Sequence, residues 1–578
     1  MNKIKIIIGI NANHADSSAC ILVDGKIIAA IEEERINRKK HFSGFPIESI
    51  KECLKIANKK DIEITDIAFN TKPSSNFISK ALFLLKNFSF KKNYFIKRIN
   101  NKINIKKKLF EQFTFNNEIK FHYIDHHLAH IASAFYPSEF FEANGLSIDG
   151  SGDFTTLAIS ECQNNKIKIV EKINFPNSLG IFYHAMTQFL GFKNYGDEYK
   201  VMGLAAYGSP KYFQKIKDNL FIDNNKLTYE LNLKYFNHHK NDFKYIADDT
   251  LSIGQIYNSK LSELFFLELK DTRNKEQFTK DFASSVQKIY EFFFKKIINK
   301  IITKKFSKNL VFAGGCALNS SANRFITNTN TLFDNIYIPF APGDNGGALG
   351  AAYIVSSKYN NNVKNSHNPY LGKSFSNDEV LNILKSEIYI NKINFKIIKN
   401  DNELFDLAAK LISNGNVIGW FQDKMEFGPR ALGNRSILAD PRNPDMKSII
   451  NMKIKRRESF RPFAPSVLKD YQTEWFESSF SSNYMSSLAH VKSDKQNLIP
   501  AVTHIDGTAR FQTVDSNNNP KYAGLIENFY KLTGVPILLN TSFNENEPIV
   551  MNPNEAIDCL LRTDMDALFI NNFLINKN

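Results

Sequence analysis

Residues 4–35 read IKIIIGINANHADSSACILVDGKIIAAIEEER, and residues 145–175 read GLSIDGSGDFTTLAISECQNNKIKIVEKINF. Each stretch opens with an apolar run, passes through a polar turn and continues as two further segments. Asp24-Gly25 joins those two segments in the first stretch and Asn164-Asn165 in the second. Such dipeptides suit the tight turns of two-residue hairpins, so each stretch predicts a strand followed by a β-hairpin. The same plan met twice is an internal repeat.

That repeat is the layout of actin-like and sugar-kinase-like ATPases, in which each half opens with such a unit and nucleotide lies between the halves. A shared plan alone does not name a function. Helices are expected around residues 180–206 and 280–305. Residues 309–326, NLVFAGGCALNSSANRFI, read as strand, Gly-Gly turn and helix. Glycines at such a turn let backbone approach a phosphate or ribose, although any tight turn needs them too. Residues 339–354, PFAPGDNGGALGAAYI, give a loop and another helix. The polar, turn-rich stretch 357–372 reads as a linker. The chain therefore divides into a domain over 1–360 and a second α/β domain over 361–578.

Two domains also fit the length of 578 residues. A composition of 43% hydrophobic and 23% charged residues is that of a folded protein. There is no apolar run of about 18 residues, which predicts no membrane-spanning helix. The opening MNKIKIIIGINANHADSSA has the lysines and isoleucines of a short signal sequence, but its apolar run ends without a small-residue cleavage site, and a first strand fits better. The five cysteines form no CxxC pair, which points to a reducing cytoplasm and away from structural zinc. The net charge of +15 raises nucleic acid as a partner. Its surplus concentrates in KKNYFIKRINNKINIKKK, residues 91–108, and such a run is more often a solvated helix face. No nucleic-acid partner is expected. The basic region 88–108 suits an anionic or nucleotide-linked acceptor.

Residues 124–138, IDHHLAHIASAFYPS, place His126 and His130 four apart in a predicted helix, on one face. Asp149 ends an apolar strand, and Asp344 stands in a Gly-rich loop before a helix. Two imidazoles and two carboxylates without thiolate suit iron(II), manganese or zinc. The plain alternative makes both aspartates turn residues. His127 points elsewhere on the helix and reads as structural.

The second domain gathers cations. FGPRALGNRS holds Arg430 and Arg435, KIKRRESFRP holds Lys455, Arg457 and Arg461, and DGTARFQ holds Arg510. LNTSFN adds Ser542 in a polar turn. Arginine grips phosphate or carboxylate through two donors, whereas lysine acts as a point charge. Four such segments in one domain suit a small, doubly charged phosphate ester better than an ordinary basic surface.

With these segments in order, together with EEERINRKKH, GDEYKVMGLAAYG, FAGGCALN and APGDNGGALGAA, nearly the whole chain resembles the O-carbamoyltransferase family of nodulation-factor and antibiotic biosynthesis. The resemblance implies an actin-like N-terminal domain, similar to tRNA threonylcarbamoyl transferases, fused to a YrdC-like domain. It implies that carbamoyl phosphate binds at Arg430, Lys455, Arg457, Arg510 and Ser542. The carbamate released there attacks ATP, which comes with Mg(2+), to give carbamoyl adenylate and pyrophosphate. It implies Fe(2+) or another divalent metal at His126, His130, Asp149 and Asp344, holding and polarising the adenylate. Lys40, Glu198, Lys200, Gly314, Gly315 and Asn319 fall in motifs near the nucleotide, with Lys39 an equal choice beside Lys40. His14 matches the histidine beside the acceptor hydroxyl, where it would serve as base. A His capping the first turn is the plain alternative. Ala15 separates His14 from Asp16 where many members read His-Asp, which leaves the role of Asp16 open. The acceptor is a sugar or secondary-metabolite hydroxyl. The rival reading, a tRNA threonylcarbamoyl transferase, shares the His pair but leaves the fused basic domain unexplained.

Overall fold

The computed structural model describes residues 4–86, 105–116, 118–223, 228–240, 244–245, 251–271, 274–328, 332–359, 367–458 and 460–578. The basic region 88–108 lies outside these residues up to residue 104, and its last residues belong to the helix Ile105–Gln112. The chain forms two compact units, one of Met1–Glu34 and Lys39–His367, the other of Arg35–Arg38 and Asn368–Asn578. Among the described residues no helix is long and apolar enough to cross a membrane.

The first unit contains the repeat. Strands Ile6–Asn11, Ser18–Val23 and Lys26–Glu32 form antiparallel pairs, and Asp66–Phe69 and Lys120–Tyr123 extend the sheet in parallel. In the second sheet, Glu142–Gly152, Thr155–Gln163 and Lys166–Asn174 take the antiparallel places, and Asn309–Ala313 and Asn335–Tyr337 the parallel ones. Both five-stranded sheets thus have the same order, which is the duplicated actin-like plan. The turns have the backbone their residues favour. Asp24 and Gly25 stand at φ of 47° and 77°, Asn164 and Asn165 at 51° and 59°, the double left-handed conformation of a twisted hairpin.

Helix His126–Phe135 packs on the second sheet and helix Gly347–Ser356 on the first, and the two helices pack on each other. Ala129, Ala132, Ala348, Ala351 and Ala352 are fully buried there, so small residues bring the backbones together. Asp125 caps the first helix, its Oδ1 accepting from Leu128 N at 3.3 Å. The segment expected to be helical over 180–206 is two helices, Leu179–Phe189 and Glu198–Leu204, interrupted where Gly191 and Gly196 take φ of 93° and 86°.

The second unit is built on an eight-stranded mixed sheet. Its centre is Ile418–Phe421, Arg435–Ala439, Ile537–Ser542 and Ala464–Leu468, covered by helices Asp401–Ser413 and Pro520–Thr533. This is the second α/β unit expected from the sequence. Apart from Arg35–Arg38, the boundary between the units falls between His367 and Asn368.

Position 350 tests the helix contact directly. A Cβ on Gly350 would stand 1.8 Å from the Ala129 carbonyl oxygen and 2.9 Å from Ser133 N. Gly350→Val should therefore lower unfolding stability by about 3 kcal/mol or more, because backbone must separate to admit it. Urea denaturation of the full chain measures this.

Candidate functional site

His126 opens its helix and His130 lies one turn on, and the two rings converge at 3.0 Å between their Nε2 atoms. Asp149 Oδ2 is 3.2 Å from His126 Nε2 and 3.9 Å from His130 Nε2. Asp344 Oδ1 is 3.4 Å from both. One ligand atom from each residue falls within 4.8 Å of all the others. The second carboxylate oxygen of Asp149 accepts from the Gly315 backbone N–H at 3.0 Å, which aims Oδ2 at the histidines. His126 is 1% exposed and His130 0%, so the cluster is shut from bulk water on its imidazole side.

The electrostatics show strong mutual dependence. Burial acts to lower the pKa of His126, but hydrogen bonds to Asp149 and Asp344 outweigh it and raise the value to about 10. Burial acts to raise Asp344, yet contacts with His126 and His130 hold it well below the usual carboxylate range. Two imidazole nitrogens meeting at 3.0 Å beside two carboxylate oxygens form a converged N2O2 donor set. Metal–ligand bonds of about 2.1 Å place neighbouring ligand atoms about 3.0–3.4 Å apart, the range of the shorter distances here. The residues therefore fit a divalent transition metal.

His127 faces away. Its Nδ1 meets Ser147 Oγ at 2.9 Å and its Nε2 the Thr155 carbonyl at 2.9 Å, the structural role expected. His14 stacks beside the cluster, with ring centroids 4.7 Å from those of His126. Its loop is tied from within, because Asn11 Nδ2 donates to the carbonyls of Ala15 and Asp16, each at 3.0 Å. Asp16 stands at φ 52° and pairs with His41, Oδ1 to Nδ1 at 2.8 Å. Burial opposes charge on His41, but Asp16 raises its pKa to about 9. Sequence reading missed His41, which follows the ambiguous Lys39-Lys40 pair.

The residues expected near nucleotide divide. Lys39 and Lys40 are both exposed. Glu198 Oε1 meets His184 Nδ1 at 2.5 Å, and Lys200 Nζ pairs with Asp197 at 2.9 Å. Gly314 takes φ 92° at the strand end. Asn319 caps the helix Ser320–Thr327, its Oδ1 accepting from Ala322 N at 3.0 Å, and it exchanges amide hydrogen bonds with Gln287. Gly315 and Asn319 thus have structural work in the His–Asp cluster and the helix cap.

In the second unit, Arg510 is the centre of a cationic cluster. Burial drives its pKa well below the usual guanidinium range, and the charges of Arg430, Arg457 and Arg461 push it further down. Its Nε is buried with no hydrogen-bond partner among the described residues. Unpaired buried charge is costly, and several like charges more so. An anion with several oxygens would relieve this. Lys455 differs. It ends a π-helical turn, Asn451–Lys455. Its ammonium donates to the carbonyls of Ser542 and Asn544 at 2.5 and 2.7 Å and to Asn544 Oδ1 at 2.8 Å. It therefore fixes the turn that carries Ser542. Arg435, counted among the phosphate-binding cations in the sequence, is fully buried and gives its N–H groups to the carbonyls of Gln422, Asn434, Lys373 and Asp423. It stacks 3.5 Å over Phe421. Its role is structural.

The chain is thus a two-unit α/β protein with a converged His2Asp2 set in a duplicated actin-like unit and a cationic cluster around Arg510 in the other. The family model described as Carbamoyltransferase N-terminus matches residues 6–353, and the one described as Carbamoyltransferase C-terminus matches residues 409–577. The chain belongs to the carbamoyltransferase family, as the sequence motifs implied, and is an enzyme of carbamoyl transfer. An uncharacterized protein of Synechocystis sp. is 38% identical over 99% of this chain and 96% of its own. Nodulation protein NolNO of Sinorhizobium fredii is 34% identical over 97% of this chain and 79% of its own. Among solved structures, component A of the (R)-2-hydroxyglutaryl-CoA dehydratase of Acidaminococcus fermentans is 14% identical, with a TM-score of 0.31 over 61% of this chain and 98% of that one.

His130→Ala should weaken divalent-metal binding by more than about 100-fold, since losing even an outer-shell partner of a ligand costs 10–100-fold. Metal content of the purified variant and its melting temperature in chelator separate loss of metal from loss of fold.

Proposed function

We propose that the protein is an ATP-dependent O-carbamoyltransferase that makes carbamoyl adenylate in the second unit and transfers its carbamoyl group to a hydroxyl in the first. The observation that carries this reading is the pairing of two chemically distinct sites in one chain, the cationic cluster around Arg510, whose Nε has no partner among the described residues, and the His2Asp2 set. The first suits a phosphate ester, and the second a metal. Residues 361–578 would form the domain for carbamoyl phosphate and adenylate formation, and residues 1–360 the domain for transfer.

Carbamoyl phosphate binds with its phosphate oxygens on Arg510, Arg457 and Arg430, while Lys455 holds the turn of Ser542 in place. Water attacks phosphorus and the anhydride P–O bond breaks, giving inorganic phosphate and carbamate. A carbamate oxygen then attacks the α-phosphorus of ATP, bound with Mg(2+), and pyrophosphate leaves. In the first unit His126, His130, Asp149 and Asp344 would hold Fe(2+) or another divalent cation, which supplies Lewis acidity and a template for the adenylate. Lys40, Glu198, Lys200, Gly314, Gly315 and Asn319 surround the nucleotide portion. His14 takes the proton from the acceptor hydroxyl as its oxygen attacks the carbamoyl carbon and AMP departs. The acceptor is a sugar or secondary-metabolite alcohol. Five free cysteines among the described residues suit a reducing, cytoplasmic setting.

The two half-reactions separate experimentally. His14→Asn should still release pyrophosphate from ATP when given carbamoyl phosphate, but should transfer carbamoyl to alcohols about 10²–10⁴-fold more slowly. Normal transfer by this variant would remove His14 from the chemistry. Arg510→Ala should raise the KM for carbamoyl phosphate by about 10–100-fold, a charge-assisted contact being worth roughly 1.5–3 kcal/mol. It should still use synthetic carbamoyl adenylate. Equal loss with both donors would show that the two units have been assigned the wrong steps.

A further inference from the structure

The segment before Arg510 forms a tight turn that holds a second unsatisfied atom. His504 N donates to the Thr508 carbonyl at 2.8 Å, and Gly507 N to the His504 carbonyl at 2.9 Å. Thr508 then enters the short ribbon Thr508–Ala509, paired antiparallel with Ala489–His490. Arg510 follows the ribbon directly, and its charge reaches the His504 ring. His504 Nδ1 lies 3.1 Å from Thr508 Oγ1, which ties the ring to the ribbon. The Thr508 hydroxyl has one proton and gives it to the Asp506 carboxylate, Oγ1 to Oδ1 at 2.7 Å. Its oxygen can then only accept from the imidazole, which fixes the proton of His504 on Nδ1. Nε2 is left as a bare lone pair. It is buried and has no partner among the described residues. Burial, with the charge of Arg510 adding to it, pushes the His504 pKa down to about 4, so the ring stays neutral near pH 7.

A buried acceptor without a donor costs about 1–3 kcal/mol, and the neighbouring Arg510 Nε is a buried donor without an acceptor. A ligand that satisfies both must present acceptor oxygens and a hydrogen-bond donor. Acyl phosphates offer the first alone, and inorganic phosphate near pH 7 donates only through its own P–OH. A carbamoyl phosphate offers both.

We propose that His504 Nε2 accepts a hydrogen bond from the carbamoyl amide, so that this side chain selects the carbamoyl ester from other phosphorylated small molecules. The proposal rests on the reading of the Arg510 pocket as the carbamoyl phosphate site, and the test keeps the two apart. Three probes are titrated calorimetrically into the full-length chain. Phosphonoacetamide keeps both the amide and the phosphonate, acetonylphosphonate replaces the amide nitrogen by a methyl group, and inorganic phosphate lacks the carbonyl arm altogether. The wild-type chain should bind phosphonoacetamide roughly tenfold more tightly than acetonylphosphonate, the value of one hydrogen bond. His504→Leu should bring that ratio close to one and leave phosphate affinity unchanged. His504→Gln, which retains an acceptor oxygen, should keep part of the preference, and it carries the test together with the wild-type ratio if the Leu variant melts early. Equal binding of the two phosphonates by the wild type would mean that Nε2 serves only a water molecule, and would overturn the proposal. A ratio unchanged in His504→Leu would overturn it as well. Arg510→Ala should weaken all three probes. Unaltered phosphate binding in that variant would defeat the pocket reading itself, whatever His504 does.

Discussion

Helix His126–Phe135 meets helix Gly347–Ser356 at backbone distance because position 350 has no side chain, so that the Ala129 carbonyl occupies the space a Cβ would take. Ala129 lies in the turn between His126 and His130. Asp344 begins the 3₁₀ turn Asp344–Gly346 that leads directly into the second helix. One close contact therefore locates three of the four converging ligand residues. The fourth, Asp149, comes from the strand Glu142–Gly152 and is oriented by Gly315 N. A duplicated fold offers two such helices by symmetry of plan. Small residues let them approach closely enough for the two histidines and Asp344 to converge.

The two candidate sites solve opposite electrostatic problems. In the first unit, carboxylates and imidazoles have each other. Asp344 and His126 shift their pKa values in opposite directions because each stabilises the other's charge. In the second, Arg510 faces Arg430, Arg457 and Arg461, and its charge is disfavoured both by burial and by its neighbours. Nothing in a folded domain gains from such a cluster by itself. A site like this is paid for by the rest of the eight-stranded core, where residues such as Trp420, Ile418, Leu538 and Leu568 are fully buried. It is useful when a polyanion binds, because the attraction is then greatest where water is absent.

Much of this was legible in the sequence, and the limits are physical. Asp24-Gly25 and Asn164-Asn165 announced the hairpins because few residues tolerate left-handed backbone, and their φ values agree. The i, i+4 spacing of His126 and His130 announced a shared face because helical periodicity is local. Partners distant in sequence were less accessible. A cation in a motif looks the same whether its donors meet a ligand or backbone carbonyls, so Arg435 passed for a phosphate contact and the carbonyl cage around Lys455 went unseen. Asp16 and His41 lie 25 positions apart, and no pattern links them until the first strands fold together.

The orientation of the His pair shows how packing can replace hydrogen bonding. Metal-binding histidines usually donate their second ring nitrogen to a carboxylate or carbonyl, but Nδ1 of His126 and of His130 is buried with no partner among the described residues. Other constraints hold His126. A Cβ at Gly152 would lie 1.9 Å from its Cδ2, so the strand itself forms one wall of its ring. Its backbone N–H donates to Asp153 Oδ2 at 3.1 Å. The same carboxylate accepts from Lys72 N at 2.7 Å and, through Oδ1, from Thr71 Oγ at 3.0 Å. Asp153 therefore ties the first turn of the helix to the loop that follows the strand Asp66–Phe69 of the other sheet. The ring position depends on a wall of backbone and one buried carboxylate, neither of which competes with Nε2 for a proton or a cation. An imidazole held in this way keeps Nε2 aimed at the cluster, where burial lowers its basicity and Asp149 and Asp344 raise it.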